Sequence, residues 1–172
     1  MQEWLETCLP NVADSFPVLQ QSILETLQMV LAAGLISFFL GVLLGTVLTV
    51  TRQNGILPNP AVYQVLDKLI NLFRSIPFII LLFCLLPLTR LLVGTAIGVR
   101  GAIVPLMFGT TPFFARQIEA SLWEVDPGLV EAAQAMGNSD FEIILHVYWR
   151  ESIAGIARGT TITLISLIGL TA

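Results

Sequence analysis

From Thr26 to Thr51 the chain carries no charged residue. A stretch of that kind, longer than the roughly 20 residues that cross a bilayer, is a transmembrane helix, because backbone polar groups in hydrocarbon must be satisfied within the segment. Composition agrees. Of 172 residues, 55% are hydrophobic and 12% charged, where a soluble domain carries about twice that charge fraction. At roughly 20 residues per crossing, the length holds about four crossings and one modest loop domain. The expected fold is all-α: a polytopic membrane protein with about four transmembrane helices in a single domain over residues 1–172. Within the first crossing, Gly41-x-x-x-Gly45 is a pair of small residues that lets another helix pack close. Plain abundance of glycine in membrane helices is the alternative reading.

Residues 1–25 read as a short polar lead, with Glu3, Glu6 and Asp14 and no basic residue before the apolar run. That pattern does not resemble a cleavable signal peptide, whose start is basic. After the first crossing, Arg52-Gln53-Asn54-Gly55 and Pro58-Asn59-Pro60 form a turn-rich connector. A second helical segment begins near Ala61, carries Asp67, Lys68 and Arg74, and is purely apolar from Ile76 to Leu88. Its charged half is expected in the cytoplasm or against protein, since lone charges at mid-bilayer are expensive. Gly94 to Gly98 makes a bend. A third crossing from about Gly101 to Ala115 continues past Arg116 to Leu122, and Pro105 and Pro112 predict a kink or local break in it. A fourth apolar segment, 153–172, finishes without the aromatic or basic residues that anchor a helix end at an interface, which predicts a truncated C-terminus.

With the N-terminus outside, Arg52, Lys68, Arg74, Arg116 and Arg150 fall on the cytoplasmic side and Arg90 and Arg100 outside. This excess sets the orientation and places the loop 126–150 in the cytoplasm. Arg158, two turns into the last segment, snorkels back to that side or faces the protein interior.

That loop is a polar island in a chain written for lipid. Asp126 is placed to cap a helix with Pro127 at its first position, where a missing N–H is harmless. Gly137 suits the left-handed residue that closes a helix, and Ser139 with Glu142 forms a capping box for a second one. Ala132, Ala133 and Ala135 leave one face nearly bare, so that another protein can approach closely. A smooth, capped helix pair offered to the cytoplasm reads as a docking surface.

Catalytic and nucleotide-binding patterns are lacking. The single histidine, His146, has no partner at a metal-binding spacing, and neither GxxxxGK[ST] nor GxGxxG occurs. The chain itself therefore reads as a non-enzyme without cofactors. One Lys and seven Arg in a chain of net charge −4 give no patch for nucleic acid. Cys8 and Cys84 read as ordinary small apolar residues.

Glu131-Ala132-Ala133, three further residues and Gly137, followed by Ile143 and Ile144, resembles the EAA loop of permease subunits in bacterial ABC importers. Further stretches resemble the methionine-type branch of that family: Asn71 to Leu82 with its Phe-Arg-Ser-Ile-Pro run, Val93 to Gly98, Ala102 to Leu106, Pro112 to Arg116 and Thr160 to Ile165. The resemblance implies a type I importer permease in the bacterial inner membrane. It would act as a homodimer, each chain docked on a cytoplasmic ATPase that binds ATP and Mg, and meet a substrate-binding protein outside. It also implies that Glu131, Ala132, Ala133, Gly137, Ile143 and Ile144 couple to the ATPase. On the last helix Thr160, Thr163 and Ser166 recur about every third residue as a candidate substrate pathway, unless their hydroxyls bond back to their own helix.

Two departures stand out. Trp149-Arg150 replaces the family's Leu-Pro at the end of the loop, which predicts a helix continuing straight into the membrane. The resemblance also implies a fifth crossing after 153–172, which the expected truncation would remove. The alternative function is a membrane scaffold or channel-like oligomer without ATP coupling; stable binding of an ATPase separates the two.

Overall fold

The computed structural model describes residues 16–171, and every regular element among them is helical. Helix α1 spans Phe16–Thr51, about 54 Å at 1.5 Å per residue. It begins ten residues before the uncharged stretch. Gln21 donates to Glu25 and Ser22 to the Val18 carbonyl, each one turn away, so polar side chains ride on a helix where a lead was expected. Residues 1–15 of that lead, with Cys8, lie outside the described residues.

The connector 52–59 folds back on the end of α1, Leu57 and Asn59 donating to the carbonyls of Val50 and Thr51. Asn59 then caps α2 (Pro60–Ser75) through its side chain. The second segment is not one helix. It breaks at Ile76–Pro77, and α3 (Phe78–Val93) leaves at 110° to α2. Pro77 forces Ile76 out of the helical region, to φ −86° and ψ 124°. Gly94, left-handed at φ 80°, closes α3 as the bend at 94–98 predicted.

Helix α4 (Gly98–Trp123) is the axis of the molecule and touches α1, α2, α3 and α8. It runs as one α-helix through Pro105 and Pro112, without the expected local break. The loop holds α5 (Pro127–Ala135) and α6 (Asp140–Ile143), then a π-helical turn, Ile144–Tyr148, and a short α7 (Trp149–Glu151). Only Ser152, at φ −91° and ψ 5°, separates these from α8 (Ile153–Thr171), so Trp149-Arg150 does carry the helix onward. Arg158 on α8 is exposed.

By length and composition α1 and α8 each suffice to cross a membrane, and the bent α2–α3 pair qualifies as one broken span. With the long central α4 they make up the polytopic helical fold expected. The small pair on α1 does what its spacing implies. A Cβ on Gly41 would stand 2.4 Å from the Phe114 ring, and one on Gly45 2.7 Å from the Ala115 carbonyl, so α4 lies against the bare backbone of α1. Higher up, Val30 and Ala33 of α1 pack with Leu106 of α4 and Leu167 of α8.

Candidate functional site

The loop helices owe their shape to caps placed by local chemistry. Asp126 accepts from the Gly128 N–H at 2.8 Å, and Pro127 stands at the first position of α5. At the other end Gly137 is left-handed at φ 83°; its N–H bonds the Gln134 carbonyl and that of Asn138 the Ala133 carbonyl, at 3.0 and 3.2 Å. These are the two bonds of a Schellman closure. Ser139 and Glu142 complete the capping box: the Ser139 N–H donates to the Glu142 carboxylate at 2.8 Å, and the Glu142 N–H to the Ser139 hydroxyl. The backbone bond from Ser139 is the main reason the Glu142 carboxyl lies below its ordinary value of 4.5. Burial pushes the Tyr148 phenol up.

The pair is seated on the end of α4. Val130, Ala133, Ile143 and Tyr148 pack against Phe114, Ile118 and Leu122, and burying one aliphatic side chain such as Ile143 is worth roughly 2 kcal/mol. Trp149 donates from its indole to Thr46 of α1 at 3.1 Å, and Ser152 to the Ser121 carbonyl of α4 at 3.1 Å. The chain just after the π-helical turn is therefore tied to both α1 and α4. A groove of about 520 Å³ opens between the connector, at Asn54 to Ile56, and the face of α5 that carries Glu131 and Gln134. Arg52 closes over the Trp123 ring beside it, 3.9 Å from the ring centre.

Of the residues matching the EAA pattern, Glu131, Ala132 and Gly137 are exposed. Ala133, 2% exposed, and Ile143, 0%, are not on the surface; they hold the loop to α4 from beneath, and Ile144 is half-buried. Sequence reasoning missed Met136 and Phe141, which stand 75% and 69% exposed on either side of the turn. Their signal was present: two large apolar residues flanking a polar turn, outside the buried stripe. His146 is exposed, one ring nitrogen 3.1 Å from the Glu142 carbonyl.

The three hydroxyls on α8 differ in their surroundings. Thr160 and Thr163 donate to the carbonyls of Ile156 and Gly159 one turn back, at 2.7 and 2.8 Å. Both line a small cavity of about 20 Å³ with Gly34, Phe38 and Phe114, whereas Ser166 is exposed elsewhere on the helix. The back-bonded alternative holds for the two threonines, and the cavity has room for little more than a water molecule.

The family profile described as "Binding-protein-dependent transport system inner membrane component" matches residues 37–172. The chain is 46% identical over 155 residues to the D-methionine transport system permease protein MetI of Yersinia pestis, which covers 90% of this chain and 71% of that relative. To the protein of the same name from Escherichia coli (strain K12) it is 43% identical, with the same two coverages. Its structure is similar to a chain solved in inward-facing conformations of the MetNI methionine ABC transporter. The TM-score is 0.89 and the identity 42%, over 91% of this chain and 73% of that one. An amino acid ABC transporter crystallised with histidines shares the fold at TM-score 0.73 and 20% identity, over 94% of this chain and 72% of that one. The profile spans most of the helices described above, and the chain belongs to the family of binding-protein-dependent transport system inner membrane components.

Proposed function

We propose that this chain is the permease subunit of an ABC importer for methionine. It works as a homodimer in the bacterial inner membrane, with the N-terminus outside and the capped loop docked on a cytoplasmic ATPase. The observation that carries the reading is the loop itself: two rigidly capped helices, seated on the central α4, that present Glu131, Ala132 and Gly137 to solvent with Met136 and Phe141 alongside. A side chain pushed there displaces α4, because Ile118 and Leu122 form the floor of the loop. The likeness to D-methionine permeases supports the substrate, and the Lys and Arg balance supports the orientation. An extracytoplasmic binding protein would deliver the amino acid, and the ATPase would supply ATP and Mg; this chain contributes the path and the coupling surface.

The test is uptake of radiolabelled methionine into proteoliposomes holding this chain, its ATPase and its binding protein. Uptake that requires ATP, and that unlabelled methionine suppresses, is the expected result. Uptake independent of ATP, or none, contradicts the importer and favours an uncoupled scaffold or channel-like oligomer. Orientation is read separately with an impermeant thiol reagent on single cysteines in a cysteine-free background. Thr95→Cys should react in intact cells, and Asn54→Cys only after permeabilisation.

A further inference from the structure

The ion pairs found among the described residues share one guanidinium. Arg116, on α4 about two turns from the loop, pairs with Asp67 of α2 and with Glu119 of its own helix, the latter at 2.6 Å. It also donates to the Asn71 side chain at 3.0 Å, and Asn71 in turn donates to Asp67 at 3.2 Å. The side chains of Arg116 and Glu119 are only 17% and 10% exposed. Charges held like this in a membrane protein are expensive and retained for a use.

The rest of α2 shows what the cluster does. Ile70 is its one buried residue among those described, packed with Leu48 of α1 and Ala115 of α4. Tyr63 and Leu66 pack beside it and the Phe73 ring lies 5.6 Å from that of Phe108 on α4, so apolar contacts share the hold on α2, and the charged clasp beside Ile70 is its directional tie. Helix α2 leads through the Ile76–Pro77 break into α3, set at 110° to it. On the other side, Ile118 and Leu122, two and six residues beyond Arg116, are the floor of the loop core.

We propose that Arg116 is a positioning residue for transport: with Asp67, Asn71 and Glu119 it clasps α2 to α4, so that displacement of the loop helices carries the bent α2–α3 pair along with α4. This rests on the importer reading above. Without the clasp the loop still docks and the ATPase still turns over, but α2 and α3 no longer follow.

The experiment measures methionine taken up per ATP hydrolysed, in proteoliposomes of the assembled transporter, for wild type, Arg116→Gln, Asp67→Asn and the exchanged pair Asp67→Arg with Arg116→Asp. The ratio should fall about fivefold or more in the single variants, the lower range of measured couplings between sites. Hydrolysis and retention of the ATPase should persist, and the exchange should restore part of the ratio. An unchanged ratio in the single variants overturns the proposal. Loss of assembly in both single variants also overturns it, since the cluster would then serve folding alone. A wild type with no ATP-driven uptake fails the importer reading itself, and the inference falls with it; that outcome is visible before any variant is compared.

Discussion

Gly137 shows how little of the loop depends on side-chain space. A Cβ there would meet nothing within 4 Å, so the constraint is its backbone, at φ 83°. Gly137→Ala is expected to destabilise the loop by about 1 kcal/mol, and Gly137→Asn by less, because asparagine tolerates the left-handed region. Hydrogen exchange at Asn138, whose N–H closes the turn, reports this directly. Glu142 gives a pH signature. Its carboxyl is held below the ordinary value by the Ser139 backbone bond, so its stabilisation is present above the unfolded-state value and is lost as pH falls through the folded one. Acidification below the ordinary carboxylate range should deprotect the start of α6, and Glu142→Gln should remove most of that dependence.

At the scale of elements, the seam between α1 and α4 makes the sharpest contrast. Gly45→Val drives a branched side chain into the Ala115 carbonyl and Ile118, and overpacking of this kind costs roughly 1–3 kcal/mol. Gly34→Ala meets only Leu167 and Leu164 side chains, at 3.4 and 3.5 Å, and should leave the thermal midpoint in detergent nearly unchanged. The caps and the small-residue seam were legible in the sequence because each is set by a few neighbouring residues. The break at Ile76–Pro77 was missed although the apolar run begins there, because charged half and apolar run were taken as one segment and the proline between them was not weighed. Of the kink or break expected at Pro105 and Pro112, the break does not occur: α4, packed on several sides, stays helical through both. The π-helical turn has no local signature, since Trp149 on Thr46 and Ser152 on Ser121 hold its end from other helices. Burial of Ala133 and Ile143 was likewise invisible in a pattern that reads the loop alone.

For the whole molecule, the design is a long central helix with a rigid handle at one end. Helix α4 joins the loop core, the seam with α1, the clasp on α2 and the packing of α8 on a single rod. Such a rod can transmit movement from the loop to the membrane only if a partner grips the exposed face of α5. The most direct test is co-purification in detergent of the permease with its ATPase, comparing wild type with Ala132→Arg. Arginine keeps the helix propensity high at an exposed position, so the fold is left intact while the proposed docking face is filled. Wild type is predicted to retain the ATPase and Ala132→Arg to lose it. Equal retention by the two, or failure of the wild type to hold the ATPase, would contradict the loop's role as the coupling surface.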